Sequence, residues 1–374
     1  MRIVTVVGNR PQFIKAAAVS SLLRERHEEV LVHTGQHYDD SLSRVFFTEL
    51  GLARPDHELS VAGGSNTAQT ARMLSALEPL LADLQPAAVL VYGDTNSTLA
   101  GGLAAAQACV PVVHVEAGMR SFDRSMPEEL NRVLVDHLSD LLLCSSEDSA
   151  ANLRAEAVVG CVEVVGDVMV DVALRYQPAA WADKETPRKY GVQAGGYLLV
   201  TAHRAGNVDD PERLRALVDL VTGLPRPVVL PLHPRTRDRL QDAGLLSKLF
   251  ALEDMHVVEP MGYVEFSALL RQARAVLTDS GGVQKEAYLA GVRCVTLRSS
   301  TEWVETVHAG WNALVDLDAA AAHAALERQP PAERPNLYGD GRAAERCVRA
   351  IGRLAGDKPA PLVAPSTLLH ELAP

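Results

Sequence analysis

Short apolar runs, several rich in valine, recur along the chain with helical spacing between them. RIVTVVG, EVLVHTG, AAVLVYGD, VPVVHVEAG, LLLCSS and VEVVGD form one series; YLLVTAH, PVVLPLH, HVVEP, AVLTDSGG, RCVTLRSS and NALVDL form a second. Runs that are apolar throughout belong to strands buried on both faces, and parallel strands need crossover helices to join them. The pattern therefore predicts an α/β protein built on parallel sheets. A polar stretch, RYQPAAWADKETPRKYGVQAGG, separates the two series and reads as a connecting helix and linker.

At 374 residues the chain exceeds the size at which one hydrophobic core keeps growing. Two doubly wound, Rossmann-like domains facing each other across a cleft are expected, the first over 1–170 and the second over 171–352. DGRAAERCVRAIGRLAG has helical spacing and is expected to cross the domain junction, with 353–374 packing back on the first domain. Hydrophobic residues, 47% of the chain, are enough to fill both cores.

The excess of 47 acidic over 36 basic residues, a net charge of −11, argues against nucleic acid or an anionic membrane as the main partner. An anionic ligand would have to be held by local clusters of positive groups. The five cysteines, Cys109, Cys144, Cys161, Cys294 and Cys347, are dispersed without a C-x-x-C pair, so a reducing cytoplasm is expected. No segment approaches the roughly 20 apolar residues of a membrane span, and the N-terminus runs straight into a strand, so a soluble protein is expected.

Polar groups collect at the ends of five strands: GNRP with Arg10 and, beyond it, Lys15; YGDTNST with Asp94; HVEAGMR with Glu116 and Arg120; TAHR with His203 and Arg204; and TDSGGVQKEA. One polar residue after a strand is ordinarily an N-cap or a solvated turn. Five clusters at corresponding ends of two sheets point to a composite site. In the last cluster, Gly281 and Gly282 follow Ser280 and allow backbone N–H groups to approach an anion at a helix N-terminus, the arrangement of a diphosphate cradle. Glu286, one turn on, can cap that helix or accept the two hydroxyls of a ribose. His203 and His233 each end a strand beside arginine, in AHR and HPRTR, which suits a diphosphate.

Neither G-x-G-x-x-G nor G-x-x-x-x-G-K-[ST] stands at a strand-to-helix junction, so a nicotinamide enzyme and an ATPase both lose their main support and no cofactor is expected. HTGQH sets His33 and His37 four apart, and HVE sets His114 and Glu116 two apart. Strand ends lack the helical geometry that brings an i, i+4 pair onto one metal, so no metal site is expected. HVEAGMRSFDRSMPEELNR crowds carboxylates and guanidiniums into one loop and the helix start after it. Arg120 is expected to meet the substrate there. Glu128 and Glu129 lie about 100° apart around a helix, so only one can readily aim into the cleft, and Glu128 is the one expected.

RPQFIK, HTGQH, YGDTNSTLAG, HVEAG-R, MPEE-NR, VGD, T-AHR, HPRTR, TDSGG-Q-EA and TEW-E stand in the order and spacing of the non-hydrolysing UDP-N-acetylglucosamine 2-epimerases, and the chain resembles that family across nearly its whole length. The resemblance implies a fold like the B-type glycosyltransferases, a homodimer, and interconversion of UDP-GlcNAc and UDP-ManNAc for cell-surface polysaccharide precursors, without metal or nicotinamide. It implies that Asp94, Glu116, Glu128 and His203 are catalytic. It places Arg10, Lys15, His233, Ser280, Gly281, Gly282 and Glu286 around the UDP-sugar, with Phe266 beside the uracil. RPQFIK, the Gly63–Gly64 pair and SGGVQKEA together look especially like the branch that epimerises UDP-2,3-diacetamido-glucuronic acid.

The chemistry fits these residue types. Hydrogen on carbon 2 of the sugar is not next to a carbonyl carbon, but loss of UDP from carbon 1 acidifies it, and elimination to a glucal followed by re-addition inverts the centre. A positive ring leaving a diphosphate calls for carboxylates on one side and basic groups on the other. Protons must leave one face and return to the other, so two or three carboxylates are expected. Crowding Asp94, Glu116 and Glu128 is expected to raise at least one of their pKa values. A B-type UDP-sugar glycosyltransferase would share the cradle and cleft but needs an acceptor pocket and usually one base; a nucleotide-sugar sensor would bind without turnover.

Overall fold

The computed structural model describes residues 1–36 and 49–354. The first series of apolar runs forms β1 (Arg2–Val7), β2 (Glu28–His33), β4 (Ala88–Tyr92), β5 (Val112–Ala117), β6 (Leu141–Cys144) and β7 (Cys161–Val164). A two-residue strand, β3 (His57–Glu58), is added at the edge, and the order is β3-β2-β1-β4-β5-β6-β7. The second series forms β8 (Leu198–Thr201), β9 (Val228–Pro231), β10 (Met255–Val258), β11 (Ala275–Thr278), β12 (Arg293–Thr296) and β13 (Asn312–Leu314), in the order β10-β9-β8-β11-β12-β13. Every pairing among the described residues is parallel. β4 and β5 are buried along their whole length, which is why AVLVY is apolar throughout and VVHVEA carries only His114 and Glu116 as polar residues.

Six helices matter for the site. α1 (Arg10–Arg24) starts beyond β1, where the Asn9 side chain accepts from Gln12 N–H and Pro11 occupies the first turn. α2 (Asn96–Gln107) starts beyond β4 with a reciprocal capping box between Thr95 and Thr98. α3 (Pro127–Leu138) follows the charged loop after β5, and α4 (Val168–Ala182) leads towards the second sheet. α5 (Gly281–Ala290) follows β11, and α6 (Ala343–Arg353) ends the described chain.

α6 buries Ala343, Ala344, Cys347, Val348, Ala350 and Ile351 in the same core as Ile3, Val7, Phe13 and Leu23. Its first N–H groups are capped from α4, where Asp171 accepts from Ala343 at 3.1 Å and Ala344 at 2.9 Å. The return to the first sheet thus begins at 343, while 355–374 lie outside the described residues. The second sheet has its own core around Leu198, Val200, Leu217, Leu230 and Leu277. Among the described residues no helix is long and apolar enough to cross a membrane.

Strand order reverses between β1 and β4 in the first sheet and between β8 and β11 in the second. Those switch points leave a crevice beyond the strand ends. There the two halves touch: Arg10 lies over the Phe266 ring, Arg298 reaches Met126 Sδ, and Lys285 reaches Glu116.

Candidate active site

The register of β5 against β6 slips between Val115 and Ala117, and the residue between them, Glu116, has a φ of +71°. A bulge of this kind re-aims one side chain out of the alternating pattern. Glu116 is thereby brought to the seam between the halves. Lys15 from α1 pairs with its Oε2, and Lys285 from α5 donates to its Oε1 at 2.8 Å. Burial alone would raise its pKa, but the two ammonium groups outweigh burial and hold it down at about 2.

Asp94, at the end of β4, pairs with Arg132 of α3. The MPEELNR helix grips that turn a second time, since Asn131 Nδ2 donates to the Asp94 carbonyl at 3.0 Å. Burial pulls the Arg132 guanidinium down, but Asp94, Glu302 and Glu129 outweigh it and raise it overall. The two adjacent glutamates of α3 differ in commitment. Glu129 is buried and accepts from Phe122 N–H at 2.9 Å and from Arg132 Nη1 at 2.7 Å. Glu128 is partly buried, and among the described residues no hydrogen bond or ion pair engages it.

In the second half, Asp279 ties the ends of β8 and β11 together. Its carboxylate accepts from the backbone N–H groups of His203 at 3.1 Å and Arg204 at 3.0 Å. His203 stacks on His233 with ring centroids 5.2 Å apart. Burial, against the pull of Asp279, lowers the His203 pKa and favours the neutral imidazole. His233 is the N-cap of its own helix, accepting from Arg235 N–H at 3.2 Å.

Ser280 is the N-cap residue of α5, and its first capped carbonyl bond runs from Gln284 N–H to Ser280 O at 3.1 Å. The N–H groups of Gly281, Gly282 and Val283 precede that bond and are those a helix N-terminus offers to an anion. A Cβ on Gly281 would collide with Glu302 Oε1, whereas one on Gly282 would meet only Ser280 Oγ, at 4.0 Å. Gly281 is therefore needed for packing, and Gly282 leaves the approach open. Burial pushes the Glu286 carboxyl up to about 7, against Arg10, Lys285 and Arg271. Phe266 is buried with Leu199, Val229 and Met261, and one face of its ring carries the Arg10 guanidinium at 5.3 Å.

One expectation is corrected. Arg120 turns away from the seam: its guanidinium, 1% exposed, donates to Asp136 at 2.7 Å, to Glu156 at 2.7 Å and to the Met119 carbonyl at 2.6 Å. Crowding does not raise Glu116, which moves the other way because two lysines face it, while burial pushes up Glu286. His114 is spent inside the fold, between Asp136 Oδ1 and the Gly93 carbonyl, each at 2.7 Å. His33 packs on Phe13, and His37 lies outside the described residues.

The strand-end reading also missed partners. Lys285 and Trp303, with Asp167 at the start of α4, converge behind Glu116, while Arg298, Arg204 and Arg132 face Glu302. VGD and TEW-E were visible as motifs, but nothing local marked them as contacts of residues a hundred or more positions away.

Two doubly wound parallel sheets, each opening its switch point onto one shared polar seam, define an α/β protein of the glycosyltransferase B type. A family model described as UDP-N-acetylglucosamine 2-epimerase matches residues 21–352. The chain belongs to this family. It is 43% identical, over 95% of its length and 100% of the relative's, to the UDP-2,3-diacetamido-2,3-dideoxy-D-glucuronate 2-epimerase of Pseudomonas aeruginosa. The crystal structure of the Methanocaldococcus jannaschii UDP-GlcNAc 2-epimerase in complex with UDP-GlcNAc and UDP is similar at a TM-score of 0.90 and 38% identity, covering 94% of this chain and 100% of that one. That of the Neisseria meningitidis UDP-GlcNAc 2-epimerase bound to UDP-GlcNAc is similar at 0.84 and 30% identity, with the same coverage. The resemblance carried by the motifs, and the fold it implied, are thus borne out.

Proposed function

We propose that the chain interconverts UDP-GlcNAc and UDP-ManNAc by eliminating UDP to a 2-acetamidoglucal and adding it back. The observation that carries this reading is the unequal commitment of two carboxylates near one seam. Glu116 is held ionised between Lys15 and Lys285, while Glu128, partly buried, is without a partner among the described residues. The first suits a fixed negative charge beside a positive sugar ring, and the second suits a proton carrier.

In this mechanism the diphosphate rests on the N–H groups of Gly281 and Gly282, with Arg10 and His233 beside it and Glu286 on the ribose. The bond from carbon 1 to the diphosphate oxygen breaks and its electrons leave with UDP. The electrons of the carbon 2–hydrogen bond form the carbon–carbon double bond as Glu128 takes the proton. A second group returns a proton to the other face as UDP re-adds; Asp94 and His203, the other two residues that the family resemblance makes catalytic, are the candidates. The same reading has the chain act as a cytoplasmic homodimer. Five free cysteines suit a reducing compartment, and the exposed Leu130 and Leu134 on one face of α3 suit a contact with a second copy.

One observation favours a second substrate, UDP-2,3-diacetamido-glucuronic acid: the Pseudomonas aeruginosa relative bears that activity in its name at 43% identity. Proton NMR of both sugars incubated side by side tests the two readings. UDP-ManNAc accumulating without free ManNAc supports the first. Turnover of the acidic sugar with UDP-GlcNAc far slower supports the second, because an empty carboxylate subsite leaves buried polar groups unpaired. Inertness toward both sugars would refute epimerisation.

A further inference from the structure

Lys285 lies on α5, four residues after Gly281 and three after Gly282. Residues four apart share a helix face and are about 6 Å apart along the axis, so the lysine and the anion-facing N–H groups move as one rigid piece. Its side chain is 1% exposed. The ammonium meets Glu116 Oε1 at 2.8 Å, pairs with Asp167 Oδ2, and sits 4.3 Å above the Trp303 ring. With both carboxylates and the indole around it, this ammonium has no path to a ligand.

Buried ion pairs are poor devices for stability, because desolvation offsets most of the attraction. What the cluster does provide is placement. Glu116 is held at a positive φ in the bulge of β5, a conformation that persists only where the surroundings over-determine it. Lys15 holds one carboxylate oxygen from within the first half, and Lys285 holds the other from the second. Asp167, through its ion pair, fixes the lysine to the start of α4.

We propose, resting on the epimerase reading above, that Lys285 is a positioning residue for the reaction: it couples the helix that seats the diphosphate to the Glu116 carboxylate and keeps that carboxylate a fixed charge. Glu116 then stabilises the positive sugar ring and carries no proton. The charged groups facing Glu116 are Lys15 from α1 and Lys285 from α5, with Asp167 of α4 behind the latter. Removing Lys285 leaves a buried carboxylate with one ammonium, so it becomes easier to protonate.

The test compares Lys285→Met, Lys285→Arg and the double variant Asp167→Asn/Lys285→Met with wild type. The double variant removes the stranded Asp167 charge and keeps the comparison valid if Lys285→Met alone folds poorly. Readouts are kcat, KM and UDP affinity by calorimetry. The expected result is a fall in kcat of about tenfold or more with UDP affinity within about threefold of wild type. Lys285→Arg should recover most of the rate. Wild-type kcat in Lys285→Met and the double variant, a loss confined to UDP affinity, or a rate that Lys285→Arg fails to recover would overturn the proposal. Wild-type protein that fails to exchange deuterium at carbon 2 of either candidate sugar would instead remove the epimerase reading on which it rests.

Discussion

Glu129 accepts hydrogen bonds from both the backbone N–H and the hydroxyl of Ser121, each at 2.9 Å, and so fastens the loop after β5 to the first turn of α3. Its neighbour Glu128 has no such duty. The two glutamates should therefore fail differently. Glu128→Gln keeps shape and loses proton transfer, so epimerisation should fall by about two to four orders of magnitude with melting temperature and UDP affinity retained. Glu129→Gln strips the charge that faces Arg132 and should lower the melting temperature by several degrees. Turnover and thermal melts on both variants check this; near-wild-type turnover in Glu128→Gln would contradict it.

The two glycines of the cradle should also separate. Gly282→Val meets no protein atom nearer than Ser280 Oγ at its Cβ, so the protein should fold while UDP binding weakens by about tenfold or more. Gly281→Ala presses on Glu302 and should lower stability before any ligand is added. Calorimetric titration with UDP, beside denaturant curves, distinguishes a lost anion seat from a disturbed fold.

Arg120 is expected to matter for stability alone. Its guanidinium is 1% exposed and joins Asp136 to Glu156, so Arg120→Met strands a buried carboxylate and should cost about 3 kcal/mol. Urea unfolding measures that loss. UDP affinity of the folded variant should match wild type; a large drop would return Arg120 to the binding site.

Glu286 sets a pH dependence for UDP binding. Its carboxyl, pushed up to about 7 by burial, is mostly protonated at pH 6 and ionised at pH 8. Only the ionised form accepts from both ribose hydroxyls without having to donate. UDP should therefore bind more tightly at pH 8 than at pH 6, by up to about tenfold. The terminal phosphate of UDP also titrates near pH 6, so Glu286→Gln, which retains that effect and loses the carboxyl, is the control. Identical pH profiles in the two proteins would exclude the role.

VPVVHVEAG could be read as a buried strand because a parallel strand covered on both faces is apolar throughout, and the same reasoning covers the other long runs. β3 could not be read: His57 and Glu58 are polar, only two residues long and paired to one edge. The strand ends announced which groups collect, since that follows from where loops of doubly wound sheets lie. They did not announce the pairings. Glu116 and Arg120 are four apart in sequence, yet the bulge sends Glu116 to a lysine 169 positions away while Arg120 pairs with Asp136 and Glu156. Counting the carboxylates alone predicts a raised pKa; for Glu116 the sign is reversed by Lys15 from its own half and by Lys285, which becomes visible as a partner only once the two halves meet.

Deuterium at carbon 2 is the most direct measurement of the central claim, that this seam breaks and remakes a carbon–hydrogen bond through loss of UDP. Wild-type protein incubated in heavy water with UDP-GlcNAc, and separately with UDP-2,3-diacetamido-glucuronic acid, should place deuterium at carbon 2 of at least one sugar and of its epimer. Glu128→Gln should incorporate it about two to four orders of magnitude more slowly. Epimer formed without deuterium would mean that the hydrogen is transferred internally, and neither epimer nor deuterium would mean that no such bond is broken; either result contradicts the account.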